Sequence, residues 1–331
     1  MAVSYQGRRR PPTTGRKDGP RSGDPAAPER DAASMTTIDL PAVTTPVRWN
    51  RALLALTAAS AVLAVVAAVG ILTDPRILTG VPIWLKPFKF AVSFVVYAGT
   101  LAWMLSILPR RSRPAEWAGI VIVGVAVAEL AIIVFQVIRG RTSHYNIATP
   151  LDATLWSAMG TSIMVLFFAH LLIGVTALRQ RIPDRAIAWA IRLGLLVTLL
   201  GMAVAFLMTT QGGTATAPGA HAVGVPDGGP GMPVTGWSTT GGDLRIGHFV
   251  GLHALQALPL LAVLLGRLVA DPVKRMRLVF VGGGAYAVLV LLLTWQALRA
   301  QPLLQPDGTT LIAFAALAAV TVTAGAAVLR R

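Results

Sequence analysis

The chain is 331 residues long, 54% hydrophobic and only 13% charged, with a mean hydropathy of +0.66, which excludes an ordinary soluble domain and puts most of it in lipid. Its formal net charge of +15 would point to nucleic acid in a soluble protein. Here the basic residues gather in short connectors between apolar runs, where they encode topology, so no nucleic-acid partner is expected. The absence of cysteine excludes disulfides, thiolate catalysis, iron–sulfur clusters and Cys-ligated zinc, leaving His and carboxylates for any metal.

Residues 1–48 are rich in Arg, Pro, Gly, Ser and Thr with few large apolar side chains, too little to offset the entropy of ordering, and are expected to form a disordered basic tail. Arg8, Arg9 and Arg10 within it suit anionic headgroups or simply a solvated topogenic segment. The first apolar run starts near residue 52 and is long enough to span, so it reads as a retained helix rather than a cleaved signal.

Residues 49–331 contain eight apolar runs, near 52–73, 84–107, 117–138, 153–176, 187–208, 246–267, 276–297 and 310–329. Each is long enough to cross a hydrocarbon layer about 30 Å thick. Without alternating polarity they are helices, not barrel strands, so the predicted fold class is an all-α polytopic transmembrane bundle. With the N-terminal tail in the cytoplasm, 22 of the 29 Lys and Arg fall on the cytoplasmic side, which predicts eight spans with both termini in the cytoplasm, in a cytoplasmic (inner) membrane. Trp49, Trp84, Trp103, Trp117, Trp156, Trp189 and Trp295 all lie near predicted span ends, where amphipathic rings prefer the headgroup region.

The outer-side basic minority is Arg76, Lys86, Lys89, Arg139, Arg141, Arg245 and Arg299. In the second run Lys86, Lys89, Ser93, Tyr97 and Thr100 recur at helical spacing and share one face, either as lysines snorkelling to headgroups or as the wall of a site. The third run carries Glu129 near its centre and Gln136 two turns further out. A mid-membrane acid needs a cation partner or a proton, and serves either proton movement or helix association. The following loop brings Arg139, Arg141, Ser143, His144, Asn146 and Asp152 to the same side, a set from which catalytic groupings can be assembled.

The long connector 209–245 is rich in Gly, Thr, Ala and Pro and is expected to be a flexible outer loop, either a lid or an insertion, with His221 a poor fixed ligand. It leads into Asp243, Arg245, His248, His253 and Gln256, polar groups entering a membrane helix and therefore a candidate functional site. On a regular helix His248 and His253 point about 140° apart and cannot easily share a metal. Gly247 and Gly251 make a small-xxx-small pair suited to a tight helix crossing.

The strings Lys86-Pro87-Phe88-Lys89-Phe90, Arg139-Gly140-Arg141-Thr142-Ser143-His144-Tyr145-Asn146 and Gly242 through Pro259 resemble a bacterial family of uncharacterised multi-pass membrane proteins, over most of residues 80–300. The resemblance implies membrane location and no particular substrate. In broad plan the chain also resembles the membrane hydrolase superfamily that includes alkaline ceramidases, where a Ser, an Asp and three His surround zinc. Ser143, His144, Asp152, His248 and His253 supply those residue types here, although the family's paired histidines sit four apart, not five.

Three classes of function follow. The first is an outer polar pocket formed by helices 2, 3 and 6 and the 3–4 loop, binding or transporting a small anionic or zwitterionic ligand or membrane lipid headgroup without a cofactor. Lys86, Lys89, Arg141 and Arg245 are its counter-charges, and Glu129, His144 and His253 are expected around the same cavity. The second is a zinc hydrolase with His144, His248, His253 and Asp152 as metal ligands. The third is a haem- or quinone-binding redox protein, for which His170 and His253 lie at mismatched depths.

Overall fold

Asn50 starts the first helix by accepting a hydrogen bond from the Leu53 backbone N–H at 3.0 Å, and α1 follows over Arg51–Thr73. The computed structural model describes residues 49–212 and 214–330; the expected tail 1–48 lies outside the described residues. α2 (Leu85–Ser106), α3 (Arg113–Ile138), α4 (Pro150–Arg179), α5 (Arg185–Thr209), α6 (Leu244–Leu252), α7 (Ala254–Leu268), α8 (Pro272–Leu298) and α9 (Gly308–Arg330) complete an all-helical bundle. Their starts follow capping chemistry: Ser112, Thr149, Asp184 and Asp271 each accept from a first-turn N–H, satisfying donors that a helix leaves unpaired.

Seven of these helices are each long and apolar enough to cross a membrane, and α6 with α7 passes the same test as a pair bent by 47°. The sixth run, expected as one regular helix, is thus broken at His253. At the break the Gln256 N–H bonds the His253 carbonyl at 3.1 Å, one residue short of the α-helical partner, which releases the Leu252 carbonyl. Thr198 Oγ1 donates to that carbonyl at 3.3 Å, and Tyr286 donates its hydroxyl to Val250 O at 2.8 Å. Side-chain hydroxyls from α5 and α8 therefore take up carbonyls of the broken ladder, as backbone in lipid requires.

The bent pair runs beside α8 along its whole length. A Cβ at Gly242 would collide with the Ala297 carbonyl, one at Gly247 would strike Thr294, and one at Gly266 would lie 3.5 Å from Arg275. Gly251 meets the Gly201 backbone of α5 so closely that neither tolerates a side chain, so the small pair of the sequence does mark a tight crossing. α5 contacts α4, α6, α7 and α8, whereas α9 packs on α8 at the margin.

Connectors 74–84, 139–149, 210–243 and 299–307 meet at one end, here called the loop face. Arg76 Nη1 donates to Val137 O at 3.2 Å, Ile147 N–H to Thr216 O at 3.0 Å, and Gly224 abuts Ala300. The opposite end is tied by the Arg110–Gln180 clasp, at 2.9 and 2.8 Å, and by Arg275 beside Asp184 at 3.7 Å. At the loop face β1 (Ile77–Leu78) and β2 (Val81–Pro82) form a hairpin, with Thr79 and Gly80 at φ of 51° and 75° in the left-handed turn that such hairpins need. The connector expected to be flexible pairs β3 (Ala222–Val223) with β4 (Gly242–Asp243) in antiparallel register, Ala222 opposite Asp243.

Candidate functional site

α2 begins at the loop face, so Lys86 and Lys89 stand in its first turns. Lys89 Nζ donates to the Thr235 carbonyl at 2.8 Å. Lys86 Nζ stands 6.0 Å from the Phe90 ring centroid and forms no hydrogen bond or ion pair among the described residues. The charged groups within its electrostatic reach are Lys89, Arg245, Glu129 and Asp227, contributed by α2, α6, α3 and the long connector.

Arg245 is already engaged. Asp243, fully buried, accepts from the Ser238 N–H at 2.8 Å, from the Arg245 N–H at 3.0 Å and from Arg245 Nε at 2.9 Å, and caps α6 in doing so. Arg245 Nη2 donates onward to Gly236 O at 2.7 Å. The pair is a charge-assisted clamp holding the connector over the start of α6.

The loop between α3 and α4 is closed by a second buried network. Asp152 Oδ1 accepts from Gln136 Nε2 at 2.9 Å and from Arg139 Nη1 at 2.6 Å, while Oδ2 accepts from Thr149 Oγ1 at 2.8 Å. Asn146 donates to Thr142 O at 3.0 Å and accepts from the Ala148 N–H at 3.1 Å. Gln136, Asn146 and Asp152, three of the candidate ligand-binding residues, thus shape the loop. Arg141 is exposed and makes no ion pair among the described residues.

His144 sits under this loop among Phe90, Tyr145 and Trp156, at ring separations of 5.6, 6.2 and 5.6 Å, with Ser143 Oγ 3.2 Å from its Nδ1. Burial first, then the charges of Lys86, His221 and His248, hold its imidazole well below the ordinary histidine range. Tyr145, at φ 55°, leans between Trp156 and His221, and Gly219 leaves it room, since a Cβ there would lie 2.6 Å from Tyr145 Cδ1.

His221, set aside from the sequence as too mobile, is held firmly. Its Nδ1–H donates to Asp227 Oδ2 at 2.7 Å, and the backbone N–H groups of His221 and Ala222 reach the same carboxylate at 3.0 and 2.8 Å. Burial acts to raise Asp227, but the His221 ring and these N–H groups outweigh it and keep the carboxyl below the usual range. Burial lowers His221 although Asp227 opposes it. Five residues, Ala222-Val223-Gly224-Val225-Pro226, separate the two in the sequence, and Gly224, at φ 79°, lies within that short return.

Deeper, Glu129 is 1% exposed. Ser162 Oγ donates to its Oε1 at 2.5 Å, and its Oε2 has no hydrogen-bond partner among the described residues. Further along α2, Tyr97 donates its hydroxyl to His170 Nδ1 at 2.9 Å while His170 Nε2–H donates to Leu195 O at 3.3 Å. Both ring nitrogens of His170 are taken, leaving none for a haem iron.

The remaining candidates lie apart. His248 Nδ1–H donates to Gly201 O at 2.8 Å. His253 is exposed at the break, 3.3 Å from Gln256 Oε1, and Gln256 reaches Thr100 Oγ1 at 3.1 Å beside a groove of about 350 Å³ between α2 and α7. Among the described residues no hydrogen bond or ion pair links His253 to Lys86, Glu129, His144 or Arg245. Among the described residues no three His, Asp or Glu converge as a metal site; the zinc set is divided among the Asp152 network, the aromatic cluster, α5 and the helix break. No family, curated protein or solved structure matches the chain.

Proposed function

We propose that the protein spans the cytoplasmic membrane eight times with both termini inside, and that its outer loop face binds a small oxyanion or the anionic headgroup of a lipid at Lys86. The bent α6–α7 pair supports eight spans, because it accompanies α8 from one end to the other and so counts as a crossing. The surplus of Lys and Arg at the opposite end supports the orientation. The observation that carries the binding reading is the state of Lys86: Arg76, Arg139, Arg245 and Arg299 are each matched by an aspartate, whereas the Lys86 ammonium forms no hydrogen bond or ion pair among the described residues, with Lys89, Arg245, Glu129 and Asp227 the charged groups in its reach. A second lysine one turn away adds to a field that attracts anions and repels cations.

The test is thermal stabilisation of the detergent-purified protein by sulfate, by chloride, and by phosphatidylglycerol in mixed micelles. A ligand at one hundred times its Kd stabilises by about 2.7 kcal/mol, and Lys86→Met is expected to abolish the gain while leaving the unliganded midpoint within a degree or two. A response to sulfate assigns a small oxyanion, a response confined to the lipid assigns a headgroup, and equal responses in wild type and Lys86→Met refute the site.

A further inference from the structure

We infer that Glu129 is a proton-binding site coupled to that anion site, so that an anion arriving at Lys86 is accompanied by one proton taken up on the Glu129 carboxylate. The inference rests on the binding reading above and adds its stoichiometry. Three observations lead to it. Glu129 is 1% exposed, so its charge has little water around it. Among the described residues its Oε2 has no donor, and Ser162 is the single hydrogen-bond donor to Oε1. Lys86 of α2 is a cation within its electrostatic reach.

A carboxylate in apolar surroundings with one hydroxyl donor depends on a nearby cation to stay ionised. An anion on Lys86 cancels that support, and the carboxylate then takes a proton from solvent to become the neutral acid. By linkage the reverse holds equally: protonating Glu129 removes a negative charge from the neighbourhood of the site and tightens anion binding. Net, one negative charge and one proton enter together, which spares the apolar interior an uncompensated charge.

The other titratable groups around the pair are accounted for by element. From α2 comes Lys89, which donates to Thr235 O. From α6 come Arg245, clamped by Asp243, and His248, bonded to Gly201 O. The connectors contribute His144 and the His221–Asp227 pair. α4 offers Ser162, which does not titrate in this range. Protonation of the histidines at low pH would also favour an anion, so the test must separate them from Glu129.

Sulfate and phosphatidylglycerol both keep their charge between pH 5.5 and 8, so both serve as probes, the one for a free oxyanion and the other for a headgroup. Affinity in the wild type is expected to fall with rising pH, by up to about tenfold per unit where one proton is linked, with proton uptake on binding measured in lightly buffered solution. Glu129→Gln mimics the neutral acid and is expected to bind tightly with the pH slope and the uptake largely gone. Ser162→Ala removes the one donor and is expected to shift the slope to higher pH; it carries the test if Glu129→Gln fails to fold. An unchanged slope in Glu129→Gln, or flat wild-type affinity with binding still lost in Lys86→Met, overturns the coupling alone. Absence of any binding sensitive to Lys86→Met overturns the anion site and the coupling together.

Discussion

His144 is packed between three aromatic rings and keeps a neutral imidazole because burial and the nearby positive charges disfavour its protonated form. An unfolded chain would protonate it near pH 6.5, whereas the folded chain resists until well below. Its contribution to stability is therefore complete above about pH 6.5 and is lost as the pH falls toward the folded value. The melting midpoint is expected to drop between pH 7.5 and 5.5, by roughly 2–4 °C for each kcal/mol lost, and His144→Asn should make that decline shallower. A midpoint that rises on acidification would contradict the burial of this ring. The same residue scale shows why the candidate ligands had to be sorted by structure. Asp152 and Asp243 are buried and Arg245 half-buried where the connectors meet the helix starts, as a binding site requires, yet their hydrogen bonds are filled by neighbours. Lys86 and Glu129 look no different in the sequence, and among the described residues Lys86 Nζ and Glu129 Oε2 each lack a hydrogen-bond partner.

At the scale of the element, the break at His253 is the feature that departs most from a regular span. Nothing in Leu252-His253-Ala254 breaks a helix by propensity, and Pro259 lies two turns further on. The hydroxyls of Thr198 and Tyr286 stabilise the released carbonyls, and interhelical hydrogen bonds of this kind contribute about 0.6 kcal/mol on average. Thr198→Val and Tyr286→Phe are each expected to lower stability by about 0.5–1.5 kcal/mol. Both bonds support one bend, so the double variant should lose measurably more or less than the sum of the singles. Strict additivity in unfolding of the four proteins would show that the two hydroxyls act independently of the bend. The break also has a positional consequence. α6 stays short at the loop face, with Arg245 in the electrostatic reach of Lys86 and His248 bonded to Gly201 O of α5, while Gln256 is turned toward Thr100 and the α2–α7 groove.

For the whole molecule, the eight crossings proposed above would place connectors 74–84 and 299–307 together on one face and 180–184 on the other. The chain has no native cysteine, so single cysteines report sidedness without background. Gly308→Cys is expected to react with a membrane-impermeant maleimide in intact cells, and Pro183→Cys only after permeabilisation. Reaction of both in intact cells would break the arrangement, and the opposite pattern would invert it. The margin of the bundle suits lipid: α9 packs on α8 and leaves Leu311, Ile312, Val320 and Val322 exposed, where they cost nothing in a hydrocarbon solvent.

Hydropathy alone determined that the chain is helical, which stretches are long and apolar enough to cross a membrane, and roughly where they end, because a lipid core selects apolar helices about 20 residues long and leaves few alternatives. Gly247 with Gly251 was legible for the same reason, being spacing on one helix, whereas the caps at Asn50, Ser112, Thr149, Asp184 and Asp271 emerge with the structure. Tertiary structure decided which polar groups are occupied. Gln136 finds Asp152, Arg245 finds Asp243 and Gly236, and Tyr97 finds His170 across distances that no periodicity encodes. It also decided that a Gly- and Pro-rich connector folds into a tethered cap, through Asp227 gripping His221 and two carbonyls receiving Lys89 and Arg245. A buried charge is costly until something pairs with it, and the identity of that partner depends on which helices lie side by side.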